Sequence, residues 1–257
     1  MASQRALLLI ADISGYTRFM KVHRINLAHA QVVVARLLEA VIDAARPNKL
    51  KLYKLEGDAA LFYAPAGARP PDPSTLALAI RRAFLARRTE LDVDKVCSCD
   101  GCVQVSDLKI KVITHVGEVA FQKIKRFTEL AGMDVIVVHR LLKNSVPLSE
   151  YLLMTDPALD SADPSLRARV SSAQEELEGV GTTEVHWIDL DALAPADALD
   201  RATSWWRKVL MWFRLHWGAL PYYLGLKQPC DGFKNFDPAG ALPPAREAPE
   251  RSAGLTP

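Results

Sequence analysis

The chain opens on an unbroken apolar run, Ala6 to Ala11, that stops at Asp12 and is followed by Gly15. Such a run, bounded by a polar residue and a glycine, predicts a buried strand over Ala6–Ile13. From Thr17 to about Ala45 the pattern switches to three- and four-residue spacing. Phe19, Val22, Leu27, Ala30, Val34, Leu37, Leu38, Val41 and Ile42 predict one long helix, which Pro47 stops. Leu50–Tyr53 and Ala59–Tyr63 read as strands around Glu56-Gly57-Asp58, a hairpin with glycine at its turn. Ala64–Pro73 is a Pro-rich loop, and Ser74 is placed to cap a helix running to about Arg88. Leu108–Ala120 alternates in its first half and predicts a strand. A short strand over Phe127–Leu130, helices over Asp134–Leu142 and Ala158–Ala173, and a late strand over Val185–Leu190 follow. The order β-α-β-β-α-β-(β)-α-α-β predicts an α+β fold of the split βαβ, ferredoxin-like kind: an antiparallel-rich sheet with helices on one face.

The pattern ends near residue 195. Residues 196–237 read as an aromatic-basic helical extension. The tail, 238–257, carries five prolines in twenty residues and no periodicity, so disorder is expected there. Composition adds exclusions. At 257 residues, 49% hydrophobic and 24% charged, the chain is long enough and apolar enough for a real core. A net charge of +2 gives no bulk signal for nucleic acid, and four cysteines do not make a disulfide scaffold. The first apolar run is too short for a signal peptide, and no uncharged run is long enough to span a bilayer. The expected location is therefore cytoplasmic.

Two carboxylates carry the candidate chemistry. Asp12 ends the first strand, where it is either a helix-capping group or a metal ligand, and the helix start beyond Gly15 can bind an anion. Asp58 lies at the hairpin tip. In a split βαβ sheet the hairpin can lie beside the first strand, so the two carboxylates would face one another. They repel unless a cation sits between them. Mg²⁺ favours a couple of carboxylates with waters and substrate phosphates, and two such ions can clamp a phosphoryl transfer.

IADISGYTRF, KLEGDAALFYA, HVGEVA and GMDVIVVHRLLKN, in this order and spacing, resemble the class III nucleotidyl cyclase catalytic domain. With the CSCDGC segment, the chain looks like a divergent bacterial offshoot of that superfamily. The resemblance covers about Arg5 to Leu190, within a cyclase-like domain over 1–195. It implies a 3′,5′-cyclic nucleotide and pyrophosphate made from ATP or another nucleoside triphosphate, with ATP favoured. Asp12, Asp58 and the Ile13 carbonyl match the ligands of two Mg²⁺ or Mn²⁺ ions. Lys54 and Glu129 match the purine-reading positions, Gly15 and Thr17 the substrate-binding turn, and Arg140 the arginine that offsets charge at phosphorus. Such sites are completed by a second domain, so a homodimer is implied.

Two positions depart from the pattern. Ile136 stands where the family has an asparagine that positions the ribose, and Val180, in Gly179-Val180-Gly181, stands where a lysine binds phosphate. These losses favour the alternative, a weak or inactive nucleotide- and metal-binding regulatory module. Lys125 and Lys143 are nearby basic residues that read as surface charge.

Two clusters remain. Cys97, Cys99 and Cys102, in a loop over 95–104, put three soft ligands together; Cys230, or else His115, could complete a structural Zn²⁺ site, and the alternative is three reduced thiols. Four of the five tryptophans lie in Trp205–Trp217 with Arg207, Lys208 and Arg214. That segment reads as a packing helix, or as a helix lying on anionic membrane at its inner face. No nucleic-acid partner is expected. His23 and His29 do not share a helix face. His115 reads as a core histidine and His139 as pointing away from the site. No Ser-His-Asp order suggests a hydrolase.

Overall fold

The computed structural model describes residues 3–22, 27–67, 70–93, 104–193, 224 and 226. A strand, β1 (Ser3–Ser14), is followed by α1 (Tyr16–Val22) and α2 (Leu27–Ala45), with residues 23–26 outside the described set. The single helix expected over Thr17–Ala45 is thus described as two. In α2, Ala30, Val33, Val34, Leu37, Leu38 and Val41 are buried, and this is the spacing that makes one helical face apolar. Pro47 ends it in a 3-10 turn, after which Lys49 takes a left-handed conformation (φ 62°) and Leu50 N–H bonds the Ala45 carbonyl.

Strands β2 (Lys51–Glu56) and β3 (Ala59–Pro65) form the expected hairpin, with Gly57 at φ 67°. Helix α3 (Pro73–Val93) follows. Its cap is Asp72 rather than Ser74. The Asp72 carboxylate accepts from Ser74 N–H at 2.9 Å and Thr75 Oγ1 at 2.7 Å, and Pro73 occupies the first turn, where its missing N–H costs nothing. Strand β4 (Lys109–Ile124) turns back into β5 (Phe127–Ala131), which leads to α4 (Met133–Arg140) and β6 (Tyr151–Thr155).

The helix expected over Ala158–Ala173 does not form. Residues Asp156–Leu159 and Pro164–Arg167 make separate single turns, and Ser171–Leu177 is a strand, β7, paired with β8 (Gly181–Asp189). Asp163 caps the second turn through Ser165 N–H at 2.8 Å, and Pro164 follows it, so the helical spacing of the apolar residues is broken.

The eight-stranded sheet runs β2-β3-β1-β4-β6-β8-β7, with β5 paired to β4. All its pairs are antiparallel except β4–β6. Alternate residues of β1 feed two cores. Leu7, Leu9, Ala11 and Ile13 meet α2 and α3, whereas Ala6, Leu8 and Ile10 meet Val135, Val137 and Val138 of α4. Helices on one face thus holds for α2 and α3, but α4 packs on the other. It is Asp12, next in the second series, that carries a charge onto the α4 face.

A buried histidine fixes the head of α4. His115 Nε2 lies 2.9 Å from Asp134 Oδ1 and its Nδ1 lies 2.7 Å from Thr155 Oγ1. With Nε2 donating to the carboxylate, Nδ1 accepts the threonine hydroxyl. Asp134 Oδ2 also accepts Glu118 N–H at 2.6 Å. This carboxylate occupies the space above Gly117: a Cβ there would lie 2.1 Å from Asp134 Cγ. Gly117→Ala must expel Asp134 and break both bonds. We expect a loss of about 2 kcal/mol, read as a lowered urea midpoint with an unchanged slope.

Candidate active site

Strand register assembles the site. Asp12, at the end of β1, pairs with Ala59 on one side and with Lys111 of β4 on the other. The Asp58 carbonyl accepts Ile13 N–H at 3.3 Å, which holds the hairpin tip against the end of β1. The two aspartates are therefore brought together, as their sequence positions imply. Burial first, and then the neighbouring Asp12 charge, push the Asp58 carboxyl up to about 7.

Lys111 is the component that sequence reasoning missed. Its Nζ lies 2.9 Å from Asp12 Oδ2, with the Leu142 carbonyl at 3.4 Å. The only signal for it was its place in an alternating strand, three residues from the edge of an apolar run. The adjoining wall is Tyr151, whose hydroxyl exchanges hydrogen bonds with Asn144 at 2.8 and 3.0 Å. Burial raises the Tyr151 hydroxyl above its ordinary range, which keeps it a neutral donor.

Lys111 satisfies one oxygen of Asp12, and a cation set between the two carboxyls would displace the proton that Asp58 otherwise holds below about pH 7. A hard divalent cation suits that donor set: two carboxylates and the backbone carbonyl of Ile13 at one strand end. Among the described residues no group of three or more His, Cys, Asp or Glu side chains surrounds it, so the remaining positions would fall to water or a phosphate.

A pH dependence follows from Asp58. Its folded pKa is raised, so the native state holds a proton that the unfolded chain, with an ordinary carboxyl of 3.8, has released. That contribution is complete below about pH 4 and is lost as pH rises through about 7. In the presence of chelator we expect about 1–2 kcal/mol to be lost across this interval, after discounting for solvent screening of a half-buried group, and Asp58→Asn should flatten the slope. Thermal melts from pH 5 to 8 measure it.

The remaining predicted residues spread outward from the pair. Gly15 (φ 89°) and Thr17 sit at the start of α1, where the Gly15 carbonyl accepts Phe19 N–H. Lys54 is exposed on β2, with its ammonium 3.4 Å from Glu56 Oε1. Glu129, on β5, accepts the Tyr53 hydroxyl, and that hydroxyl in turn accepts Leu130 N–H at 2.9 Å. Burial and then the Glu129 bond raise the Tyr53 hydroxyl above its usual range. Arg140 is paired in its own chain with Glu178 at 2.6 Å, and among the described residues it contacts neither aspartate. His139 Nδ1 lies 3.3 Å from Glu56 Oε2, tying α4 to the hairpin.

Ile136 is 46% exposed on α4, and Val180 lies half-buried in the β7–β8 turn with its N–H on the Leu177 carbonyl. His186 is held between Ser172 Oγ (2.7 Å) and Asp156 Oδ1 (2.6 Å), an arrangement that the order of these residues in the chain concealed. It staples β7 and β8 to the turn after β6. His115, engaged at both nitrogens, is not available to complete a thiolate site. The cysteine loop with Cys97, Cys99 and Cys102, Cys230, the tryptophan stretch Trp205–Trp217, the tail and His23 lie outside the described residues. Among the described residues no helix is long and apolar enough to cross a membrane.

Three comparisons bear on this geometry. Residues 34–151 match a family model described as "Protein of unknown function (DUF2652)". The uncharacterized protein Rv2561/Rv2562 of Mycobacterium tuberculosis (strain ATCC 25618 / H37Rv) is 43% identical over 221 residues, covering 82% of this chain and 99% of that protein. Among solved structures, the adenylyl cyclase CyaB from P. aeruginosa is 14% identical with a TM-score of 0.50, covering 73% of this chain and 96% of its own. The guanylate cyclase domain of RhGC from Catenaria anguillulae, in complex with GTP, is 15% identical with a TM-score of 0.52, covering 73% and 98%. These likenesses establish the fold as that of the class III cyclase domains.

Proposed function

From the premise that the chain belongs to the family of the mycobacterial protein Rv2561/Rv2562 and carries the class III nucleotidyl cyclase fold, we propose that it is a divergent nucleotidyl cyclase. It would convert ATP, or another nucleoside triphosphate, to a 3′,5′-cyclic nucleotide and pyrophosphate as a homodimer. The observation that carries the proposal is the Asp12–Asp58 pair, whose burial and mutual repulsion raise one carboxyl to about 7 even with Lys111 beside Asp12.

Asp12, Asp58 and the Ile13 carbonyl would hold two Mg²⁺ or Mn²⁺ ions. Bound there, a divalent ion supplies Lewis-acid charge to the attacking hydroxyl and the phosphates. Lys111 keeps Asp12 aimed by holding one of its oxygens. Lys54 and Glu129 would orient the base, and Gly15 and Thr17 would face the phosphates. Arg140 would leave Glu178 to offset charge at the α-phosphorus in the partner's site. Exposed apolar residues on β2, at the β4–β5 ribbon and on α4 would be available for self-association. They are Leu52 and Leu55 on the edge strand β2, with Ile124, Met133 and Ile136 around the β4–β5 ribbon and α4.

A second reading, a nucleotide- and metal-binding regulatory module, is favoured by Ile136, which offers no hydrogen bond to a ribose. One assay separates the two. The purified chain is incubated with ATP, GTP, CTP and UTP plus Mg²⁺ or Mn²⁺, and cyclic nucleotide and pyrophosphate are sought by mass. Equimolar products support the cyclase. Metal-dependent binding without product supports the module, and neither binding nor product overturns both.

A further inference from the structure

We infer that Ser172, His186 and Asp156 form a second, acyl-transfer site, with Ser172 as the nucleophile and small activated esters as its substrates. The inference is independent of the nucleotide reading above.

Strand pairing brings the three together. His186 of β8 stands opposite Met154 of β6 on one side and Ser172 of β7 on the other. Directly opposed residues project to the same face of a sheet. Met154 belongs to the core under α2 and α3, so the group lies on the face away from Asp12 and α4. Asp156 follows β6 at the start of a helical turn. Pro157 and the bond from Asp160 N–H to the Asp156 carbonyl, at 3.0 Å, fix its backbone there. The chain order Asp, Ser, His gives no hint of this meeting, because such groups are defined by geometry and not by order.

The hydrogen bonds fix the proton positions. His186 is 7% exposed; its Nε2 lies 2.6 Å from Asp156 Oδ1 and its Nδ1 lies 2.7 Å from Ser172 Oγ. The carboxylate can only accept, so Nε2 carries the hydrogen, and Nδ1 offers its lone pair to the serine hydroxyl. A serine whose hydrogen already points at a base is the activated form of that nucleophile. Ser172 itself is exposed, so an ester can reach the hydroxyl while the imidazole stays shielded. The edge position of β7 adds a further donor. It ends the sheet and pairs with β8 in unbroken register from Ser171 to Leu177. Alternate residues of such a strand turn their N–H away from the sheet. One of Ser172 and Ala173 therefore presents an outward N–H, the type of group that offsets charge on an oxyanion.

The reaction balances with water alone. Ser172 Oγ bonds to the ester carbonyl carbon as its proton passes to His186 Nδ1. The carbon–oxygen bond to the leaving alcohol breaks, and Nδ1 returns the proton to that oxygen. Water then attacks the acyl-serine, giving a proton to Nδ1 that goes back to Ser172 Oγ as the acid departs. Asp156 acts as a positioning residue that keeps Nε2 protonated.

The test uses the full chain with a fluorophosphonate probe, which forms an Oγ–phosphorus bond and releases fluoride, and with p-nitrophenyl acetate. The modified residue is found by peptide mass, the labelling rate is followed, and each variant is melted. Ser172 should be labelled about 10²-fold faster than in the urea-unfolded chain, and Ser172→Ala should lose both the label and the burst of p-nitrophenol. His186→Gln should slow labelling about 10²-fold or more. Asp156→Asn, at a carboxylate 65% exposed and so partly screened, should slow it about tenfold with an unchanged melt. That variant carries the test if His186→Gln melts as an unfolded chain. If the three residues only tie strands together, labelling of Ser172 is absent, or is as fast in the folded Asp156→Asn chain as in the wild type, and either result overturns the inference. A label on any other residue in place of Ser172 overturns it as well.

Discussion

Asp58→Asn should lower cyclic-nucleotide formation by about 10³-fold or more while leaving the fold intact. The substitution keeps the shape of the side chain and, below about pH 7, its neutrality, because Asp58 in the metal-free chain is then largely protonated. What it removes is the second anionic oxygen donor beside Asp12. An amide binds a hard cation more weakly than a carboxylate. Polarisation of the attacking hydroxyl and the phosphates is then lost together, and each such electrostatic contribution is worth about 10²–10³ in rate. Product is measured by mass and pyrophosphate by a coupled assay, with a melt at pH 5 as the structural control. Turnover undiminished in Asp58→Asn would sink the cyclase reading.

Arg81→Leu should cost about 3–5 kcal/mol of stability, the largest structural effect expected. Arg81 is 1% exposed on α3. Its guanidinium reaches Glu150, 5% exposed, at 3.1 Å and Asp191 at 2.8 Å. Asp191 is half in solvent and can rehydrate, whereas Glu150 cannot. Its Oε1 is already buried without a hydrogen-bond partner among the described residues, and removal of the arginine leaves a buried uncompensated carboxylate. Urea unfolding followed by circular dichroism measures the loss. Adding Glu150→Leu should recover most of it, since the cost lies in the orphaned charge and not in missing packing. A single variant within about 1 kcal/mol of the wild type would show that solvent reaches this triad.

The parts of the fold that could be read from the chain are those where local pattern and tertiary demand agree. The β1 run, the hairpin around Gly57 and the stripe of α2 are each buried as their spacing requires. The Asp12–Asp58 meeting also follows, because both residues end adjacent strands. Reading failed where long-range pairing overrode local pattern. Ala158, Ala162 and Leu166 have helical spacing, but Pro164 breaks it, and Ser171–Leu177 joins the sheet only because β8 is there to pair with it. Lys111, Tyr53 and His139 were invisible as site components for a related reason. Lys111, opposite Asp12, and Tyr53, in a bulge, owe their places to strand register, and His139 owes its place to the docking of α4 by the hairpin. A one-residue slip would have turned Lys111 away.

The Lys111–Asp12 contact has a consequence for how the protein is made. Many small metal-binding proteins cannot reach their native state until an ion arrives, because their ligands repel one another in its absence. Here the polypeptide brings its own ammonium group to Asp12, so the sheet can close around the pair during synthesis without waiting for magnesium. Under the reading proposed above, ion binding would then follow folding and not drive it.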